Sequence, residues 1–280
     1  MRIRNTAALG VLLVAVPLAA QQARPPSAAL LVSTAWLAEH LRDSGLVVLQ
    51  TSQSPEAAEQ IPGARVVPHA ALMTMSASHD LAATSDLVAA LERAGVSNSS
   101  HVVIYGEPLA AGWLFFALDY LGHERTSMLD GGLEKWKAEG RPLRPVASPP
   151  GNGRFQPRVR SQLKSSAEAI QNRGRGAVAV LDARSEREYV AGHIPGARLL
   201  SWDQVYADRK LQIFKSPEEL AVLFAAAGAP GGTSAITYCQ IGLRSSLLYF
   251  AARYAGLNAS NYVGSWSEWS AKGLPTEPAR

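Results

Sequence analysis

Short apolar, β-branched runs alternate along this chain with longer segments of helical spacing. Residues 46–49, 102–105, 178–181 and 235–238 are such runs, too short for helices, and they read as buried strands. Residues 33–41 and the stretch from Ser165 onward open as helices. Ser216-Pro217-Glu218-Glu219 combines a capping box with proline at the first helical position and leads into an apolar-rich stretch ending at Ala227. Ser165 and Glu168 have the spacing of a second box. Leu247, Phe250, Ala251 and Tyr254 recur at helical spacing, and Gly256 is placed to stop that helix. Buried strands alternating with helices predict an α/β fold with a mainly parallel sheet covered on both faces. A catalytic site in such a fold lies at the carboxyl ends of the strands.

The pattern occurs twice. Ile61-Pro62-Gly63-Ala64 returns as Ile194-Pro195-Gly196-Ala197, and Leu133-Glu134-Lys135-Trp136 has a counterpart in Trp266-Ser267-Glu268-Trp269. Between the copies, residues 141–160 hold five prolines and two glycines with no apolar periodicity. The expected organisation is a first domain at 28–145, a linker at 146–160 and a second domain at 161–278.

Composition changes this picture at the N-terminus and at one thiol. Arg2 and Arg4 precede an uncharged, mostly apolar stretch at 7–20, which Gln21 and Gln22 end. This is the pattern of a secretory signal peptide at 1–20, with an apolar part too short to span a membrane comfortably. It predicts a periplasmic or secreted protein with no stable membrane insertion after cleavage. With 47% hydrophobic residues among 280, the remainder has material for large cores. The formal charge is +4, with no dense basic run interleaved with aromatics, which argues against nucleic acid and suits small anions. The six histidines show no ligand spacing, so neither a metal nor a cofactor is expected. There is a single cysteine, Cys239, and hence no internal disulfide. Its thiol is either a packing residue or a working one.

Its surroundings favour the second. Tyr238-Cys239-Gln240-Ile241-Gly242-Leu243-Arg244-Ser245-Ser246 runs from a predicted strand into a helix expected to begin near Ser245. Gly242 lets the loop curl, so that the amides of Gln240, Ile241, Gly242 and Leu243 can converge. The helix adds its positive end and Arg244 a full charge, and all three favour a thiolate or a bound anion. Sulfur transfer and phosphoryl or arsenyl chemistry both use such a cradle. Protein tyrosine phosphatases place arginine six positions after cysteine. Here Arg244 is five positions after Cys239, a tighter loop better matched to sulfur.

Flanking motifs extend the comparison. Leu181-Asp182-Ala183-Arg184-Ser185-Glu186-Arg187-Glu188-Tyr189-Val190-Ala191-Gly192-His193-Ile194-Pro195-Gly196-Ala197 resembles the N-terminal signature of rhodaneses. Asn261-Tyr262-Val263-Gly264-Ser265-Trp266-Ser267-Glu268-Trp269 resembles the C-terminal one, with Val263 where an acidic or small residue is commoner. The resemblance implies two tandem rhodanese-like domains, each a mainly parallel five-stranded sheet flanked by helices. The first departs where chemistry would sit. Leu49-Gln50-Thr51-Ser52 replaces the Asp-Ala-Arg motif, Gln60 stands in the place of His193, and Tyr105-Gly106-Glu107-Pro108 lacks a thiol. It is expected to be an inactive partner that walls the cleft of the second.

The resulting expectation is a sulfurtransferase with Cys239 as nucleophile. Arg244, Arg184 and the residues Gln240 to Leu243 would contact the substrate, with Asp182, His193 and Ser245 in support. Asp182 and Arg184 read more readily as a structural ion pair that holds the loop than as catalytic groups, Glu188 as structural, and His193 as a residue that fixes its turn. Thiosulfate would donate and cyanide or a thiol accept. The alternatives are 3-mercaptopyruvate as donor, and a persulfide carrier that hands sulfur to a protein acceptor. Mercaptopyruvate enzymes of the family usually carry a loop of the Cys-Gly-Ser-Gly kind, which differs from the one here.

Overall fold

A computed structural model describes residues 30–52, 59–74, 79–146, 151–174 and 178–278. The expected signal peptide and residues 147–150 of the expected linker lie outside the described residues. The first half runs β1 (Leu31–Val32), α1 (Thr34–His40), β2 (Leu46–Ser52), β3 (Glu59–Gln60), β4 (Arg65–Pro68), α2 (Thr84–Arg93), β5 (His101–Gly106), α3 (Pro108–Tyr120), β6 (Thr126–Leu129), α4 (Gly132–Ala138) and β7 (Arg144–Pro145). The second runs α5 (Ala167–Gln171), β8 (Val178–Asp182), α6 (Glu186–Ala191), β9 (Arg198–Leu199), β10 (Tyr206–Asp208), β11 (Ile213–Phe214), α7 (Pro217–Ala226), β12 (Ser234–Tyr238), α8 (Leu243–Tyr254), β13 (Asn258–Asn261) and α9 (Ser265–Ala271). Among the described residues no helix is long and apolar enough to cross a membrane.

The first sheet has five parallel strands in the order β1-β6-β5-β2-β4. The second has four, β13-β12-β8-β9, also parallel, rather than the expected five. The missing edge is reduced to one parallel bridge between Lys164 and Asn261. A 3-10 turn at Ser161–Leu163 ends just before it and the cap of α5 follows at Ser166, so only a residue or two can extend. The same constraint undoes the expected Ser165–Glu168 box. The Ser165 N–H donates to the Asn261 carbonyl at the sheet edge, and Ser166 caps α5 instead by accepting from the Ala169 N–H. The Ser216–Glu219 box forms in full, with Pro217 opening α7.

Strand register sets up the site. Leu181 pairs with Thr237 and Asp182 with Tyr238, so the Asp182 motif and the cysteine loop leave the sheet side by side. The helices after β5 and β12 then meet. Both α3 and α8 are buried almost all round; α3 is apolar over most of its length, whereas α8 buries Ser245, Ser246 and Arg253 with hydrogen-bond partners. Phe115 and Phe250 pack edge to face at 4.8 Å between centroids, and Phe116 and Tyr249 at 5.1 Å. One apolar core therefore runs through both domains, from Leu87 and Trp113 to Leu247 and Cys239. Inside it, Asp119 accepts from Arg253 and from the Tyr249 hydroxyl at 2.6 Å, and from Arg160 at 2.8 Å. The connecting segment is fastened down: Gly151 and Gly153 N–H groups donate to the Arg93 and Glu92 carbonyls, and Phe155 is buried.

Candidate active site

Cys239 follows directly on β12 and is fully buried. The loop turns back at Gly242, whose φ of +89° favours glycine. A side chain there would also meet the Val263 carbonyl oxygen at 2.8 Å and the Trp113 ring at 3.0 Å. This conformation aims the Gly242 N–H at the Cys239 sulfur, 3.2 Å away. Gly242 is itself the N-cap of α8, so the helix starts at Leu243, earlier than Ser245 as expected from sequence. The first-turn amides of α8 have no acceptor within the helix, so its positive end begins one residue after the amide that bonds the sulfur. Ser245 lies within that first turn and donates its hydroxyl to the Gly242 carbonyl at 3.0 Å.

The C-terminal motif holds the loop from behind. The Cys239 N–H donates to Ser265 Oγ at 3.1 Å, and the Ser265 hydroxyl donates to the Tyr262 carbonyl at 2.8 Å. Trp266 and Ser267 N–H groups donate to the Cys239 and Gln240 carbonyls, both at 3.0 Å. The Gln240 side chain is tied to Ser267 Oγ at 3.1 Å. Ile241 and Leu243 pack their side chains against the shared core. Trp113, from the first domain, completes the enclosure against Gly242.

Arg244 lies beside the sulfur, but its charge is already matched. Nη1 and Nη2 donate to the two Glu188 carboxylate oxygens, each at 2.7 Å. Glu188 is also held by the Ser185 N–H at 3.0 Å and the Ser185 hydroxyl at 2.7 Å, completing a capping box on α6. Arg244, then these Ser185 contacts, hold the Glu188 carboxyl down at about 2. The Arg244 guanidinium is kept charged by Glu188 first and by the Cys239 sulfur as well.

Arg184, expected as a second anion contact or as half of a structural ion pair, is paired with Asp182. It is 2% exposed, and its Nε and Nη2 donate to Asp182 at 2.7–3.1 Å. Nη2 also donates to the Gly192 carbonyl, and the guanidinium lies 4.5 Å from the Trp266 ring centroid. Asp182 further accepts from the Tyr238 hydroxyl at 2.5 Å, which in turn accepts from the Ile194 N–H at 3.2 Å. Burial, then the Asp182 charge, push the Tyr238 hydroxyl up and keep it a donor. This buried set braces the strand end that carries Cys239. His193 sits in the adjoining turn. Its ring stacks on Tyr189 at 3.8 Å and donates to the Tyr189 carbonyl, while its backbone pairs with Glu277.

The first domain keeps the tyrosine contact and has no cysteine. Tyr105 donates to Gln50 at 2.8 Å and accepts from the Ile61 N–H, as Tyr238 does with Asp182 and Ile194. Where the second domain has its thiol loop, Glu107 opens α3 and accepts from Ser52. Three features of the site escaped sequence reasoning: the Arg244–Glu188 pair, the hold of Ser265 on Cys239, and Trp113. Only the first left a local trace, the capping-box spacing of Ser185 and Glu188.

Comparison with known proteins adds independent findings. The model of the rhodanese-like domain matches residues 33–139 and 165–272. The chain is 32% identical over 266 residues to the sulfur carrier protein TtuD of Thermus thermophilus, covering 85% of this chain and 93% of the relative. It is 31% identical to a putative thiosulfate sulfurtransferase 1 of Mycobacterium bovis, covering 88% and 97%. Among solved structures it resembles YnjE, with a TM-score of 0.80 at 21% identity, covering 89% of this chain and 68% of that one. It also resembles the 3-mercaptopyruvate sulfotransferase SseA of Escherichia coli, with a TM-score of 0.74 at 23% identity, covering 84% and 98%. The match in both halves, over a fold that repeats around one cysteine loop, shows that this chain belongs to the rhodanese family.

Proposed function

We propose that this protein is a sulfurtransferase that carries sulfane sulfur as a persulfide on Cys239. The observation that carries the reading is the Gly242 N–H directed at the Cys239 sulfur from the start of α8, with Arg244 alongside. Such a setting stabilises negative charge on sulfur, both in the resting nucleophile and in a terminal persulfide. In the first step the Cys239 thiolate attacks the outer sulfur of thiosulfate. The sulfur–sulfur bond breaks, and sulfite leaves with its electron pair. In the second, cyanide or a thiolate attacks the terminal sulfur of the persulfide, and Cys239 departs as thiolate. The cycle is balanced without an external oxidant.

Relatives named as putative thiosulfate sulfurtransferases support thiosulfate as the donor. The relative named as a sulfur carrier supports a second reading, in which the persulfide passes to a protein acceptor. Mass spectrometry after mixing with thiosulfate tests the shared step: Cys239 should gain one sulfur atom. Multiple turnovers with cyanide then favour the enzyme, and a single loading favours the carrier. Absence of any gain in mass at reduced Cys239 would reject thiosulfate as donor. Export rests on the charged and apolar pattern of residues 1–20. A mature chain beginning at Gln21 in the periplasm or medium would support it, and an intact cytoplasmic chain would overturn it.

A further inference from the structure

The buried sulfur has one partly exposed charged pair beside it, Arg244 and Glu188, with side chains 22% and 32% exposed. Sequence alone gives Arg244 the role of an unmatched positive charge for an anionic donor. In the fold, each of its terminal nitrogens is matched by a carboxylate oxygen. Glu188 is not free to move aside, because the Ser185 N–H and hydroxyl fix it at the third position of α6. Arg184, in the motif that also supplies Glu188, is neutralised by Asp182 and buried. Arg244, the arginine of the cysteine loop itself, thus presents a compensated charge beside the sulfur.

We propose that Glu188 is a specificity-determining residue: by neutralising Arg244 beside Cys239, it weakens the preference for doubly charged sulfur donors and favours donors with one negative charge or none. This rests on the sulfur-transfer reading of Cys239. Coulomb interaction scales with the product of charges. Removing the Glu188 charge therefore changes the logarithm of reactivity twice as much for a dianion as for a monoanion, and leaves a neutral donor as the reference. A change in the nucleophilicity of Cys239 moves all donors together and cancels in the ratio.

The test is Glu188→Gln, in which the amide oxygen still accepts from Ser185 and the charge is gone. Attack by Cys239 is followed by mass, as a gain of one sulfur atom from thiosulfate (sulfite leaving) or from an aryl thiosulfonate monoanion (sulfinate leaving), and as a gain of the alkyldisulfanyl group from a neutral dialkyl trisulfide (alkanethiolate leaving), and the second-order rate constants of loading are compared. Relative to the trisulfide, thiosulfate should improve about tenfold and the thiosulfonate about threefold, and both gains should shrink with added salt. Arg244→Gln, which leaves Glu188 uncompensated, should move the same ratios the other way and serves if the first variant does not fold. Equal shifts for all three donors, or none, would overturn the proposal while leaving sulfur transfer intact. No persulfide from any donor on the wild-type protein would overturn the sulfur-transfer reading and this proposal with it.

Discussion

Gly112→Ala, a change in the domain without a thiol, should damage both stability and sulfur transfer. Gly112 lies where α3 crosses α8. A methyl group there would sit 2.8 Å from the Leu247 Cα and backbone nitrogen and 3.0 Å from its Cβ. These are mainly backbone atoms of a buried helix, so no side-chain rotation relieves the contact. Restoring even a tight 3.4 Å contact requires the helices to separate by about 0.6 Å. Alanine in a helix interior is favoured over glycine by about 1 kcal/mol. Overpacking of a well-filled core costs about 1–3 kcal/mol. The separation also loosens the Phe115–Phe250 and Phe116–Tyr249 ring contacts, at a further loss of dispersion. The net expectation is a destabilisation of about 1–2 kcal/mol. Because α8 is capped by Gly242, its displacement carries to the loop that cradles the sulfur. Urea denaturation would give the stability change, and the rate of persulfide formation the effect on the site. A variant as stable as the wild type, or more so, would refute the close-crossing argument.

Two further perturbations test the charge assignments. Asp119→Ala strands the buried Arg253 without its carboxylate and should cost about 3–5 kcal/mol in denaturant unfolding; a loss below about 1 kcal/mol would contradict the assigned network. Glu188 has its folded-state carboxyl lowered from 4.5 to about 2, so its pairing stabilises the fold fully above the unfolded value and is lost as pH falls from about 4.5 to about 2. Since the pair is partly exposed, solvent screening reduces this to about 1 kcal/mol. Glu188→Gln should therefore melt lower at neutral pH, with a flatter acid limb that meets the wild-type curve near pH 2. Parallel curves across that window would contradict the pairing.

The elements legible in the sequence are those with a local cause. The strands that became β2, β5, β8 and β12 are short apolar runs, and Ser216 with Glu219 caps α7 through contacts three residues apart. The cysteine loop was legible because Gly242 and Arg244 follow Cys239 within one turn of chain. Features set by distant segments were not. The second sheet's fifth strand shrinks to the Lys164–Asn261 bridge because a cap and a turn compete for the same few residues. The start of α8 was misplaced because a left-handed glycine, and not a side-chain oxygen, forms its cap. Arg184 and Arg244 both read from sequence as anion contacts, and only the fold shows one buried against Asp182 and the other matched by a glutamate 56 residues away. The proline-rich connector shows no periodicity, yet Phe155 and two glycines dock it through backbone bonds that composition does not encode.

Thiocyanate formation from thiosulfate and cyanide decides whether sulfur passes through Cys239, with the protein and its Cys239→Ala variant assayed side by side. Turnover is expected from the first and none from the second, at unchanged folding. Turnover that survives in Cys239→Ala would show that the sulfur takes another route.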